Sequence, residues 1–547
     1  MRHSLPLHRL GPVKSFDYIV IGAGSAGCVL AARLSEDPAI SVLLIEAGPR
    51  DTSPWIHLPI GYGKTMWSDT LNWCFHTDPD PHMNGRRIYW PRGKTLGGSS
   101  AINGLIYIRG QREDYDAWAA AGNAGWGYKD LLPYFLRSER NQRGSSVFHG
   151  GDGPVGVSDI GEPHELIEAF IRGANSCGVP RNDDFNGATQ EGAGYYQLTT
   201  WRGLRSSAAV AYLKPARGRS NLCVLTGAMA TGLVMQGRQA KGVRYQRSGK
   251  QHETLARREV LLCAGALQSP QLLQLSGIGP PTLLARHGID VVHALPGVGE
   301  NLQDHLQVRL LYECTLPITT NDQLNSLAGR ISMAWQWALK RQGPLAVGIN
   351  QGGCFLRAMP GAQRPDIQFH VATLSADSAG AKVHAHSGFT QSVCQLRPES
   401  RGRLQITSRS AFDAPSMQPN YLSTDTDRRT VVAGMRAAQA IASSAPMRPY
   451  VKREIKPGPD ARSDDELLEF ARNNGATIFH PSGTCKMGSD PQAVVDDRLR
   501  VHGVGRLRVV DCSVMPTLIS GNTNAPVMAV AEKAADMIRE DASTHIH

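Results

Sequence analysis

Residues 16–48 read FDYIVIGAGSAGCVLAARLSEDPAISVLLIEAG, and this stretch decides the fold. Phe16 to Ile21 is an apolar run of buried-strand length. Gly22, Gly24 and Gly27 follow as G-x-G-x-x-G, Cys28 to Leu34 continues with helical apolar spacing, and Val42 to Ile45 is a second strand ending at Glu46. A lone glycine triplet is weak evidence, but here a strand precedes it, a helix follows, and an acidic residue stands about 20 positions on. Gly22 allows the tight turn, Gly24 lets the backbone approach a pyrophosphate, and Gly27 lets helix and strand pack closely. The helix N-terminus then offers free N–H groups and a positive dipole end to the phosphates, with Ser25 and Ala26 in its first turn. Glu46, followed by Ala47, is placed to accept hydrogen bonds from an adenosine ribose. The loop alone leaves FAD and NAD both open.

Working outward, the chain has 547 residues, too many for one simple domain. Residues 50–110 are rich in Gly, Pro and Trp, as expected of long loops and a short helix lining a cavity. Residues 113–137 predict two short helices. Residues 221–236 and 241–263 are strand-like, and the second runs through a turn into a helix. From about 311 to 460 alternation such as PDIQFHVATL (365–374) and SRGRLQITS (400–408) predicts half-buried antiparallel strands. Segments 328–342 and 425–444 read as helices, 507–518 holds a late strand, and 524–540 a final helix. The fold class expected is α/β: a doubly wound, Rossmann-like nucleotide domain with an interleaved α+β substrate domain carrying an antiparallel sheet. The nucleotide domain is assigned to residues 15–165, 203–310 and 463–547, and the substrate domain to 311–462.

With 41% hydrophobic and 19% charged residues the composition is that of a globular protein, and no run of about 18 apolar residues is present. The net charge is +10, but the basic residues are scattered, which argues against nucleic-acid binding and leaves contact with an anionic membrane surface open. The 10 cysteines form no CxxC pair and several lie in apolar runs, which reads as reduced thiols. The N-terminal residues lack the apolar core of a secretory signal. A cytoplasmic location, with peripheral contact at the inner membrane left open, is the expectation. His384 and His386 form an H-x-H pair without an identifiable third ligand, so no metal is expected.

Two longer motifs are more specific. GKTLGGSSAINGLIYIRGQREDYD (93–116) and GALQSPQLLQLSGIG (265–279) resemble the two signatures of the glucose-methanol-choline oxidoreductases, flavoproteins that oxidise alcohols. The first glycine turn, HPSGTCKMG (480–488) and SGNTNAPVMAVAEKAADMI (520–538) match in the same order, so the resemblance runs from about 15 to 540. It looks closest to the bacterial choline-dehydrogenase-like and alcohol dehydrogenase branch. The resemblance implies bound FAD, contacted at Trp73, Arg92, Gly98, Asn103, Gly104, Ile106, Ala230 and Asp511 as well as at the glycine turn. Some relatives tether the flavin through a histidine that would fall at Ile102, which cannot form that bond, so noncovalent FAD is expected.

The resemblance also places a catalytic histidine at His480. Alcohol oxidation removes a hydroxyl proton and a hydride; flavin N5 takes the hydride, and a base near neutrality must take the proton. Pro481 and Gly483 permit a sharp turn that projects the imidazole. Asn524 matches the second active-site position and would hold the substrate oxygen, although its place before a helix also suits an N-cap. Choline enzymes of the family carry a glutamate four residues before a phenylalanine; here INQGGCF (349–355) gives Gln351, and a neutral amide does not offset a quaternary ammonium. The expected substrate is therefore a neutral primary alcohol, bound near Gln351 and Phe479. The electron acceptor is a quinone or an artificial dye in the dehydrogenase reading and O₂ in the alternative oxidase reading, whose substrate would be choline or an aryl alcohol. A flavin-containing lyase of the same fold and a non-catalytic flavin binder are the remaining alternatives.

Overall fold

The computed structural model describes residues 15–378, 380–459 and 461–544. Along the chain come β1 (Ser15–Ile21), α1 (Ser25–Leu34), β2 (Val42–Ile45), β3 (Gly192–Tyr195), β4 (Leu222–Leu225), β5 (Ala228–Gln236), β6 (Gln239–Arg247) and β7 (Lys250–Leu262). There follow α2 (Gly265–Leu275), β8 (Leu306–Cys314), α3 (Leu327–Lys340), β9 (Asn350–Leu356), β10 (Ile367–Ala372) and β11 (Gly388–Gln395). The chain closes with α4 (Asp425–Ser443), β12 (Val451–Lys456), β13 (Ala476–Thr477), β14 (Leu507–Val509) and α5 (Asn524–Thr544).

The first sheet is parallel across β4-β2-β1-β7-β14. Its central strands are covered on both faces, and β2 and residues 17–21 of β1 are buried without break. The long β7 has two jobs. Its second half lies between β1 and β14, while its first half turns into an antiparallel meander with β6 and β5. Register aligns Ile21 with Ile45 and with Leu262, and Leu225 with Ile45, so the parallel strands end at one edge. Ligands of open α/β sheets bind at that carboxyl edge. Helix α1 packs on α5, and buried Glu532 of α5 accepts from Arg33 Nε and Nη2 (2.9 Å each) and from Tyr212 Oη (2.8 Å).

The second sheet is antiparallel, in the order β12-β8-β11-β10-β9-β3, with β13 added beside β8. It departs from the expected boundaries in three places. β3 lies in residues left unassigned, β8 begins at Leu306 rather than after 310, and β13 belongs to the substrate sheet although it follows 463. Strand β3 reads GAGY and β13 has two residues, so neither carries a period-2 signal. Nor are the central strands half-buried: β10 and β11 are buried throughout. Ile367, Phe369, Val371 and Val393 pack against Val431, Met435 and Ala438 of α4, while His370, Ala372, Thr390 and Ser392 turn to an internal cavity. The alternation is real, but its polar side faces the cavity rather than bulk solvent.

No helix among the described residues is long and apolar enough to cross a membrane. The cysteines form no disulfide; Cys177 is exposed, while Cys28, Cys263, Cys314, Cys354, Cys394 and Cys485 are buried.

Candidate active site

A cavity of about 760 Å³ runs from the glycine turn after β1 to the inner face of the second sheet. Gly22, at φ +100°, has no room for a side chain: a Cβ would lie 2.4 Å from the Cys263 carbonyl oxygen. A Cβ on Gly27 would lie 1.8 Å from the Gly22 carbonyl oxygen, so Gly27 packs helix on strand and does not itself line the cavity. Gly24 is different, with nothing within 4 Å of an added Cβ. It precedes α1 without a side-chain cap, leaving the first-turn N–H groups of Ser25 and Ala26 beside the cavity. Gly98 (φ +52°) lies against this turn, its added Cβ only 2.6 Å from the Gly24 Cα.

Glu46 accepts N–H bonds from Ala23 (2.9 Å) and Gly48 (2.8 Å), so its carboxylate braces the turn as well as reaching the cavity. Burial raises its pKa to about 7. Asp511 accepts from the Gly265 N–H (2.8 Å), the Ser269 hydroxyl (2.5 Å) and the Ser513 N–H (2.8 Å). Ala47, Trp73, Arg92, Asn103, Gly104, Ile106, Ala230 and Asp511 line the same cavity, as does Ile102. A bare backbone at Gly24 and Gly104, an open helix end and the buried, unpartnered Nδ2 of Asn524 form an elongated cradle that fits a dinucleotide.

His480 stands at the other end. Phe479 before it adopts φ +74°, a left-handed conformation that costs a bulky residue about 1–2 kcal/mol. Arg92 Nη2 holds the Phe479 carbonyl at 2.6 Å, Thr477 Oγ1 accepts the Phe479 N–H at 2.6 Å, and Asp304 Oδ1 accepts the His480 N–H at 2.8 Å. Asp304 in turn accepts from Tyr421 Oη, which accepts from Trp90 Nε1 at 3.0 Å. The turn that aims the imidazole therefore depends on Phe479, Arg92 and Asp304 as well as on Gly483, whose φ is +88°.

The hydrogen bonds assign the protons. His305 Nε2 lies 2.9 Å from the Leu396 carbonyl, which only accepts, so this nitrogen carries hydrogen. In neutral His305 the Nδ1 is then a lone pair, and it lies 2.9 Å from His480 Nδ1. His480 Nδ1 must donate, leaving a lone pair on Nε2. Asn522 Nδ2 donates to that lone pair at 3.3 Å, and Gln368 Nε2 fixes the Asn522 amide by donating to its Oδ1 at 3.2 Å. Burial, then His305, His370 and Arg92, holds the His480 pKa well below the usual histidine range. Burial also lowers His305 to about 4 and His370 to about 3.

Two expected site residues are corrected. The amide at His480 is that of Asn522; Asn524 Oδ1 instead accepts from Ser25 Oγ at 2.8 Å, tying α5 to α1 beside the cradle. Both asparagines line the cavity, so the tandem N-T-N places one at each part of it. Gln351 is buried outside the cavity, with its carbonyl accepting from the Tyr196 N–H at 3.0 Å, because strand alternation turns Asn350 inward instead. Phe479 does line the cavity. His370, with an unpartnered buried Nδ1, and His305 were not singled out by sequence; their only signal was a histidine inside a strand and another after an aspartate. His384 and His386 stack at 4.9 Å, and His384 Nδ1 meets Ser375 Oγ at 3.1 Å.

The GMC oxidoreductase family models match residues 16–307 and 398–531. The chain belongs to the GMC oxidoreductase family. It is 44% identical over 526 residues to an alcohol dehydrogenase [acceptor] of Pseudomonas putida, covering 96% of this chain and 95% of that one. It is 42% identical over 533 residues to the mitochondrial choline dehydrogenase of Homo sapiens, covering 96% and 90%. Among solved structures, pyridoxine 4-oxidase from Mesorbium loti superposes with a TM-score of 0.87 at 33% identity, over 96% of this chain and 99% of that one. As a GMC oxidoreductase the protein is an FAD-dependent enzyme acting on CH–OH groups.

Proposed function

We propose that this GMC oxidoreductase oxidises a primary alcohol to an aldehyde, with His480 as the base, and passes the electrons to a quinone-type or artificial acceptor. The observation that carries this reading is the proton assignment, which leaves the Nε2 lone pair of a neutral imidazole at the cavity. Bound FAD supplies the acceptor for the hydride of the carbinol carbon. Gly24, Ser25 and Ala26 would hold its pyrophosphate at the α1 N-terminus, and Glu46 its ribose. Ile102, apolar and at the cavity wall, offers no nucleophile for a covalent link, so the cofactor is held noncovalently. His480 Nε2 accepts the hydroxyl proton, and its Nδ1–H stays bonded to His305 throughout. Asn522 donates to the substrate oxygen and holds it near Nε2. Low His480 basicity keeps the ring neutral and ready at pH 7.

An anaerobic screen of primary alcohols tests the reading: substrates bleach the flavin band. Failure of every aliphatic and aryl alcohol to bleach it supports the lyase instead, and rapid reoxidation by air supports an oxidase.

Helix α3 supports the peripheral membrane contact that the net charge left open. Leu327, Ile331, Trp335 and Leu339 recur at every fourth position and are 49–72% exposed, while Met333 points inward. The helix and the turn after it carry Arg330, Lys340 and Arg341 and no acidic residue. An apolar stripe with a tryptophan and flanking cations suits an anionic bilayer surface. Arg330 and nearby Leu324 also line the cavity, so the docked face adjoins its mouth. Cosedimentation with phosphatidylglycerol vesicles, lost in Trp335→Glu, is expected. Self-association through this face without vesicle binding contradicts it.

A further inference from the structure

The charges lining the cavity are divided. Its only carboxylates among the described residues are Glu46 and Asp511, both at the nucleotide end and both bonded to backbone N–H groups. Its cations are Lys64, Arg92, Arg309 and Arg330. Lys64 lies over the Trp55 ring at 3.8 Å and Arg92 is committed to the Phe479 carbonyl. Arg309, which has Tyr62 and Asp377 as its electrostatic neighbours, makes no side-chain hydrogen bond or ion pair among the described residues. Its Nη1 is shut off from solvent and has no hydrogen-bond partner among the described residues. The carboxylate it senses, Asp377, is already bridged to Lys456 at 2.9 Å.

Sheet register locates this group. Arg309 on β8 pairs with Ser392 on β11, which pairs with His370 on β10, and all three line the cavity. Arg309 and His370 are thus two strand spacings apart, roughly 10 Å between backbones. His370 adds to the depression of the His480 pKa, so it belongs to the base's end of this row. Arg309 is half-buried, with Nη1 shut off and the rest of the side chain at the cavity; a guanidinium so placed gains from a ligand that supplies the anion, and its planar fork suits a carboxylate.

We propose that the substrate is a hydroxy acid in this sense: a primary alcohol whose carboxylate, several bonds from the carbinol, is held by Arg309. The proposal rests on the reading of the His480 end as the site of CH–OH oxidation. It replaces the expectation of a neutral alcohol with an anionic one and disfavours a quaternary ammonium alcohol, which would bring a further positive charge into a cavity half with no carboxylate among the described lining residues.

The test measures binding apart from turnover. The holoenzyme is titrated with benzoate against benzamide, and hexanoate against hexanamide, following the flavin spectrum. The carboxylates are expected to bind at least about 10-fold tighter than the matched amides. Arg309→Gln removes that preference, and Arg309→Lys, which keeps the charge, retains part of it. Equal binding of acid and amide to the wild type, or a preference undiminished in Arg309→Gln, overturns the proposal even if alcohols bleach the flavin. An Arg309-dependent carboxylate preference in an enzyme that no alcohol reduces supports the anion site and refutes the alcohol reading.

Discussion

At the residue scale, the property that matters at His480 is which nitrogen carries the proton. His305 fixes it, because the Leu396 carbonyl can only accept. His305→Phe leaves the buried His480 Nδ1–H without an acceptor. It is expected to lower kcat at least about 10-fold, with KM nearly unchanged. Reversal of that split, with KM raised and kcat intact, would mean His305 serves binding rather than the base. Asn522→Ala is expected to lower kcat/KM more than Asn524→Ala, while Asn524→Ala weakens FAD retention by untying Ser25. Equal kinetic losses with equal FAD retention would contradict that division. The sequence motif identified the histidine but pointed to Asn524, whereas the asparagine that faces it is Asn522. Choosing between residues two apart requires the geometry of the turn before α5, which no local spacing encodes.

At the scale of elements, the glycine turn was legible because its strand, helix and glycines obey local sterics. The close approach at Gly27 gives a sharp consequence. Gly27→Ala would push a methyl group toward the Gly22 carbonyl oxygen, 1.8 Å from the Cβ position, and is expected to destabilise by about 1–3 kcal/mol or more. Gly24→Ala, with nothing within 4 Å, is expected to leave apo stability nearly unchanged and weaken FAD binding. Thermal melts of apo and FAD-loaded protein separate the two effects; equal apo losses would contradict the packing account. The second sheet was less legible. Its period-2 pattern was visible, yet alternation reports only that two faces differ. A cavity wall and a solvent face look alike in sequence, and so neither Arg309 nor His370 stood out. Gln351 was placed by its match to a glutamate of the choline enzymes, and the structure turns Asn350 to the cavity instead, since the phase of a strand is set by its neighbours.

For the whole molecule, the two sheets meet over one cavity lined by neutral, buried imidazoles, and this sets a pH dependence. His305, His370 and His480 titrate below the ordinary histidine value in the fold, so below about pH 6.5 the unfolded chain binds protons that the native chain refuses. Their contribution to stability is present above that pH and falls as the medium is acidified, to about 4 for His305 and to about 3 for His370. His149 has the opposite sign. Burial alone would depress it, but Asp184 and Glu139 outweigh burial and raise it to about 9, so its contribution is present below pH 6.5 and lost as pH rises through 9. At pH 5.5 the buried carboxyls Glu46 and Asp304 release protons on unfolding while the imidazoles take them up, so the test is a difference: His370→Asn is expected to take up about one proton fewer than the wild type in calorimetry, and an unchanged proton count would contradict the buried-neutral assignment. Placement of the anion-holding arginine, the base and the nucleotide cradle in one cavity was beyond sequence reading, because it depends on how two interleaved sheets close on each other. The most direct test of the account is the anaerobic single-turnover rate of flavin bleaching by a substrate alcohol in His480→Ala. A loss of about 10²-fold or more, with FAD still bound, is predicted, and bleaching at the wild-type rate would contradict it.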